Sequence, residues 1–188
     1  MTPEQYLKTE HAAEFRSEFR DGEMFLRAGS DRAHCGIVTN IIGELRQQFR
    51  GRPCQGFSSG MRVRVNAANY TYPDLVAVCG PQEFLDAEMD TLLNPGLVIE
   101  VLSRPTEAYG RGRKFELYMG IVSLREYLLI ASDRVHADLY TRMDDGRWIL
   151  TSADGLEASL SLESVGASLR LADVYEKVEF TAQSTPAV

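Results

Sequence analysis

The chain has 188 residues, 44% hydrophobic and 25% charged, with a net charge of −7 and a pI near 5.0. This is the composition of an ordinary globular protein at a length that suits one domain, so a single domain over 1–180 with a disordered tail over 181–188 is expected. The charge excludes attachment to nucleic acid by bulk positive charge, and no apolar run approaches the roughly 20 residues that cross a bilayer.

Thr2-Pro3-Glu4 reads as N-cap, first-turn proline and first-turn acid, which predicts a short helix over 3–11. The segment has no basic n-region and no apolar h-region, so a secretory signal is not expected. Asp21-Gly22 between the runs 16–20 and 23–26 predicts a hairpin, because both turn positions favour positive φ. Ser30 or Asp31 then caps a long helix to about Arg50. Its apolar stripe is Val38, Ile41, Ile42, Leu45 and Phe49, the spacing of a core-facing helix.

Strands follow. Met61–Val65 alternates with period two, placing Arg62 and Arg64 on one face and Val63 and Val65 on the other. Tyr72–Val78 and Gly96–Leu102 are predicted as the next two strands, separated by a polar connection over 82–93. A helix over about 111–121 precedes a strand over 126–131. Asp144-Asp145-Gly146 closes a hairpin of 135–142 with 147–152, and short strands are expected near 157–161 and 167–171. Between 31 and 131 this order is helix, three strands, helix, strand: an α/β core with one mixed sheet, carrying an N-terminal helix and hairpin and C-terminal β additions. The cysteines, Cys35, Cys54 and Cys79, are odd in number and form no C-x-x-C pair. Reduced thiols in a cytoplasmic protein without a zinc site are expected.

The charge is unevenly distributed. Arginines 46, 50, 52, 62 and 64 occupy Leu45–Arg64 without one acid, whereas Val65–Ser103 holds six acids and no lysine or arginine. Arg104–Lys114 is basic again. These blocks read either as solvated faces or as basic segments flanking an acidic strand region. Only three lysines occur against 17 arginines, so a well-placed lysine is less apt to be surface filler.

Two carboxylates sit among apolar neighbours. Asp74 opens the run Pro73-Asp-Leu-Val-Ala-Val78, and Glu100 lies inside Leu97-Val-Ile-Glu-Val-Leu102. An ionised carboxylate in such surroundings needs a partner or a metal. Either each acid sits at an exposed strand end or pairs with an arginine, or the two neighbouring strands hold a hard cation such as Mg²⁺. Such an ion could polarise a phosphodiester, with Lys114, at the start of the next helix, neutralising developing charge.

Pro73-Asp74, Glu100-Val-Leu-Ser103 and Gly-Arg-Lys114-Phe-Glu-Leu-Tyr118 resemble the restriction-type endonuclease family of the PD-(D/E)XK nuclease superfamily. Ordered supporting segments include Asp21-Gly22-Glu23, Asp31-Arg-Ala-His34, Gly51-Arg-Pro53, Asn94-Pro95 and Ser123-Leu-Arg-Glu-Tyr127. The resemblance implies a restriction endonuclease-like core and metal-dependent hydrolysis of DNA with Mg²⁺ or Mn²⁺. Asp74 and Glu100 would be the metal-binding acids, Lys114 the motif lysine, and a homodimer the assembly. The usual acid-x-Lys is absent, since Leu102 stands where the lysine would be, so the lysine comes from the helix. Glu23 and His34 match family positions: Glu23 would extend the metal site as a further catalytic acid, and His34 would contact phosphate or the attacking water. Arg62 and Arg64, or Arg111 and Arg113, would position phosphates.

A second reading is a nuclease fold without catalysis that binds nucleic acid or a protein, motivated by the missing acid-x-Lys and the negative charge. A third, the carboxylate pair of a glycosidase, explains neither Lys114 nor the arginine blocks.

Overall fold

The computed structural model describes residues 1–27 and 29–180, leaving aside the side chains of Arg104 and Pro105; the tail expected over 181–188 lies outside the described residues. Helix α1 (Pro3–Ala12) starts at Thr2, whose hydroxyl accepts from the Gln5 N–H while the Gln5 side chain accepts from the Thr2 N–H, a reciprocal cap. The hairpin β1 (Ser17–Arg20) and β2 (Glu23–Leu26) turns at Asp21 and Gly22, both at positive φ. Helix α2 (Arg32–Gln48) is capped by the Asp31 side chain, which accepts from the His34 N–H.

Two sheets follow from the remaining strands. The larger has the order β11-β10-β9-β8-β6-β3, comprising β3 (Cys54–Ser58), β6 (Leu75–Cys79), β8 (Leu97–Leu102), β9 (Glu126–Ala131), β10 (His136–Arg142) and β11 (Trp148–Asp154). Strands β3, β6 and β8 form an antiparallel meander, and β8 runs parallel to β9. A helical segment joins those two, as a parallel pair requires. It consists of α3 (Arg104–Tyr109), a π-helical stretch over Gly110–Lys114 and α4 (Phe115–Met119). The smaller sheet, β2-β1-β5-β4-β7, contains β4 (Arg62–Asn66), β5 (Asn69–Thr71) and β7 (Thr91–Leu92). A β12 (Ser159–Leu162) and β13 (Ala167–Arg170) pair and helix α5 (Leu171–Val174) complete the chain.

Alternation along β8 divides the core. Leu97, Ile99 and Val101 pack with Ile37, Ile41 and Leu45 of α2. Val98 and Leu102 face the other way, toward Tyr118, Leu124 and Tyr127. The helix–three strands–helix–strand order is therefore present, as α2, β3, β6, β8, α3–α4 and β9. Its first strand is Cys54–Ser58, however, and not Met61–Val65. Cys-Gln-Gly-Phe-Ser has no apolar alternation to announce it, while Met61–Val65 joins the smaller sheet.

Three further expectations are corrected. Tyr72, Pro73 and Asp74 interrupt the predicted strand 72–78 and separate β5 from β6, because proline cannot donate to a ladder. The connecting helix starts at Arg104 and not at 111, with the Thr106 hydroxyl accepting from the Ser103 N–H at its start. Cys54 and Cys79 are joined in a disulfide, since the β3–β6 register sets them opposite each other, whereas Cys35 is free and exposed. Their separation in sequence hides that register.

Candidate active site

The antiparallel pairing Leu75↔Ile99 brings Asp74, one residue before β6, beside Glu100. Both acids lie on the face of the larger sheet that carries Val76, Val98 and Leu102, and both are buried. The Val101 N–H donates to Asp74 Oδ2 at 2.8 Å, and Asp74 Oδ1 meets Arg27 Nη2 and His34 Nε2, each at 3.2 Å. Glu100 Oε1 accepts from the Tyr118 hydroxyl at 2.8 Å and lies 2.8 Å from Lys114 Nζ.

The sequence of the connecting helix delivers that lysine. Gly110 is buried against Leu102: a Cβ at this position would stand 2.7 Å from Leu102 Cδ1. The Tyr127 hydroxyl donates to the Gly110 carbonyl at 3.2 Å. With the helix pressed against β8 at Gly110, Lys114 comes one turn later onto Glu100. The π-helical stretch carries this lysine; such bulges recur where a helix serves a functional site. Gly110→Ala is expected to lower stability by about 1–3 kcal/mol through overpacking, read as a lower melting temperature. The same clash should push Lys114 off Glu100.

A third carboxylate completes the cluster. Glu18 Oε1 is 3.1 Å from Lys114 Nζ. The sequence singles out Glu23 instead. The cross-strand pairs Glu18↔Phe25 and Arg20↔Glu23 show that both acids share one face of the hairpin. They differ in strand: β1 is internal, between β2 and β5, and Glu18 is buried, whereas Glu23 is exposed on the edge strand near the turn. Glu18, and not Glu23, lines the open cleft above Asp74 and Glu100.

Burial and neighbouring charge set the ionisation of these groups. Burial pushes Glu100 up to about 7, with Asp74 and Glu18 adding to the rise and Lys114 opposing it. For Lys114, burial alone would favour the neutral amine, but Glu100 and Glu18 outweigh it and raise the pKa, so the side chain is a cation at neutral pH. Burial also works against the ionised form of Asp74. The hydrogen bond and charge of His34, the Val101 N–H and the Lys114 charge prevail, and Asp74 lies below the ordinary carboxylate range. His34 is raised in turn: burial disfavours its charge, and Asp74 more than offsets this.

Of the sequence-nominated residues, the fold brings together Asp74, Glu100, Lys114 and His34 in one cleft. The four nominated arginines lie elsewhere. Arg62 is buried on β4, donating to Thr91, Tyr72 and Asp90. Arg64 is half-buried on the same face. Arg111 is paired with Glu107 and Asp138, and Arg113 with Asp21 of the hairpin turn. The arginines that do line the cleft are Arg20 and Arg27. No periodic signal distinguishes either of them in the sequence; each follows from the placement of the hairpin over β8.

The family model for Uma2, described as "Putative restriction endonuclease", matches residues 3–173. The chain belongs to the Uma2 family. This Uma2 member is 34% identical over 181 residues to an uncharacterized protein, slr1290, of Synechocystis sp., with 96% of this chain and 94% of that one aligned. A second uncharacterized Synechocystis protein, sll1609, is 31% identical over 161 residues, covering 85% and 91% of the two chains. Its fold is shared with the crystal structure of a "putative nuclease belonging to DUF820" from Anabaena variabilis, at a TM-score of 0.75 and 18% identity, over 93% of this chain and 97% of that one. The fold is thus restriction endonuclease-like. No helix among the described residues is long and apolar enough to cross a membrane.

Proposed function

We propose that this Uma2 family member is a metal-dependent endonuclease that hydrolyses DNA phosphodiester bonds, with Asp74, Glu100 and Lys114 as its catalytic residues and Asp74 and Glu100 as ligands of Mg²⁺ or Mn²⁺. The observation that supports it most is the meeting of two buried carboxylates from adjacent strands with a buried lysine from the connecting helix. The donor set fits a hard divalent cation, which takes carboxylate oxygens. Glu100 Oε2 and Glu18 Oε2 accept no hydrogen bond among the described residues, but the oxygens of Asp74, Glu100 and Glu18 do not all lie within 4.8 Å of one another, so Glu18 would join the ion only after shifting toward the pair. Bound there, the ion would polarise a phosphoryl oxygen and acidify a coordinated water.

The chain's own residues supply the rest. Lys114, protonated at neutral pH, stabilises negative charge as it builds on the phosphorus oxygens. It does not act as a base. Tyr118 and the Val101 N–H fix the two carboxylates, so little reorganisation accompanies the reaction. His34, held by Asp74, presents an imidazole at the wall of the cleft for a phosphate oxygen or the attacking water. A homodimer accords with the family resemblance and is part of the same proposal.

Purified protein is expected to nick plasmid DNA with Mg²⁺ or Mn²⁺ and to stop in EDTA; absence of cleavage with either ion would overturn the reading. The second reading, a module that binds without cutting, draws on the same absence of acid-x-Lys and predicts no turnover. Glu100→Gln separates function from stability. It should abolish cleavage and weaken calorimetrically measured Mn²⁺ binding, yet raise the melting temperature of the metal-free protein. It does so because burial of the Glu100 charge beside Asp74 and Glu18 costs more than Lys114 returns, and Glu18 stays paired with Lys114 in the variant. Among the described residues, His11, Glu88 and Asp90, outside the cleft, are the group whose ligand atoms all lie within 4.8 Å of one another, so Mn²⁺ binding is read as the difference between wild type and Glu100→Gln.

A further inference from the structure

Resting on the nuclease reading, we propose that the cleft takes single-stranded DNA, and that Phe25 of the hairpin, with Arg20 and Tyr109, forms a stacking wall for an unpaired base beside the scissile phosphate.

The hairpin has two faces with different fates. Phe19 and Met24, cross-strand partners, point to one side, where Tyr6 and Tyr70 cover them. Glu18 and Phe25, also partners, point to the other, so the Phe25 ring stands next to the carboxylate that touches Lys114. Because β2 is the edge of its sheet, no further strand covers this ring. Phe25 is 39% exposed and Leu26 69%, and neither belongs to a core cluster. Both line the cleft.

The wall continues across the cleft. The Arg20 guanidinium lies 3.9 Å from the Phe25 ring centroid and 4.9 Å from that of Tyr109, and it donates to the Tyr109 hydroxyl. Arg20 Nε is buried without a hydrogen-bond partner. An aromatic ring, a guanidinium plane and a second ring in succession offer flat faces with cationic character, which suits stacking on a base.

Charge decides between single strand and duplex. Binding to a duplex rests mainly on cations that release counterions from phosphates. Here Arg27 is engaged with Asp74, Arg111 with Glu107 and Asp138, and Arg113 with Asp21. The cleft itself carries Glu18, Asp31, Asp74 and Glu100, and the net charge is −7. Around the cleft, few cations among the described residues are free to track two backbones. Stacking is uncharged, and a base in a single strand presents the π-face that a duplex keeps inside its stack.

The test compares a fluorescein-labelled 20-nucleotide single strand with the same sequence as a duplex. Binding is measured by anisotropy with Ca²⁺, cleavage with Mg²⁺, and salt is varied. Wild type is expected to bind and cut the single strand at least about tenfold better than the duplex. Phe25→Ala should weaken single-strand binding by roughly 10–100-fold, the loss of one stacked base. Its salt slope should be unchanged, since no cation is removed, and Phe25→Trp should retain the affinity. Equal cutting of duplex and single strand, or unaltered single-strand binding by Phe25→Ala at unchanged melting temperature, would overturn the stacking wall while leaving the nuclease reading intact. Phe25-dependent single-strand binding without cleavage would sustain the wall and remove the nuclease reading. Neither binding nor cleavage would remove both.

Discussion

Asp74→Ala is expected to reduce metal-dependent cleavage to the level seen in EDTA. The loss should reach or exceed the ~10²–10³-fold that removal of one preorganised electrostatic contact costs. The reason lies in how many roles converge on this carboxylate. It stands beside Glu100 through the β6–β8 register, it takes the Val101 N–H, and it anchors both Arg27 and His34. Its removal therefore takes away a proposed metal ligand, leaves Arg27 with the Ser59 carbonyl alone among the described residues, and removes the group that favours charge on His34. Mn²⁺ binding measured on wild type and variant under the same conditions separates the two effects. A ligand role requires weaker binding, whereas loss of anchoring alone would leave Mn²⁺ affinity intact. Cleavage by Asp74→Ala equal to that of wild type would remove this residue from the site.

Lys114→Met should lose activity and stability together. Two carboxylates, Glu100 and Glu18, share the ammonium at 2.8 and 3.1 Å. Truncating one partner of a buried ion pair typically costs about 3–5 kcal/mol, because the remaining charge stays buried without compensation. For a chain of this size that corresponds to a fall in melting temperature on the order of 10 °C. Methionine keeps the length and apolar stem of lysine, so packing is nearly preserved and the loss reports the charge. The acids left behind are also the proposed metal ligands. Added Mn²⁺ should therefore recover part of the lost stability of Lys114→Met and stabilise it more than it stabilises wild type. Cleavage should nevertheless stay low, since the cation that opposes charge on the phosphate is gone. A melting temperature indifferent to Mn²⁺ in this variant would argue that the acids do not hold the ion. Glu100→Gln provides the converse, more stable without metal and inactive with it, and the opposite signs of the two variants distinguish an electrostatic site from a merely structural ion pair.

Part of this site is legible in the amino-acid order because it breaks local rules. Asp74 and Glu100 are acids inside apolar runs, and Lys114 is one of only three lysines in the chain. Helix α2 and strand β9 are equally legible, the first because its apolar residues recur at the helical period, the second as a short continuous apolar run buried on both faces. The turn at Asp21-Gly22 and the cap at Asp31 follow from the backbone conformations those residues favour. These features depend on interactions within a few residues, which sequence records directly.

What the tertiary structure decided depends on contacts between distant segments. Period two places Glu18 and Glu23 on one face of the hairpin, but only the pairing of β1 with β5 makes Glu18 internal and leaves Glu23 at the edge. Alternation likewise separates Arg62 and Arg64 from Val63 and Val65, yet says nothing of Tyr72, Thr91 and Asp90, which occupy Arg62. The disulfide between Cys54 and Cys79 and the strand at Cys54–Ser58 depend on the same β3–β6 register, set by partners and not by local pattern. The sequence by itself determined which residues were too costly to bury without a reason, namely Asp74 and Glu100, and singled out Lys114 by its rarity and position. The tertiary structure decided which other side chains meet them, because burial, ion pairing and register belong to the packed chain and not to any one segment.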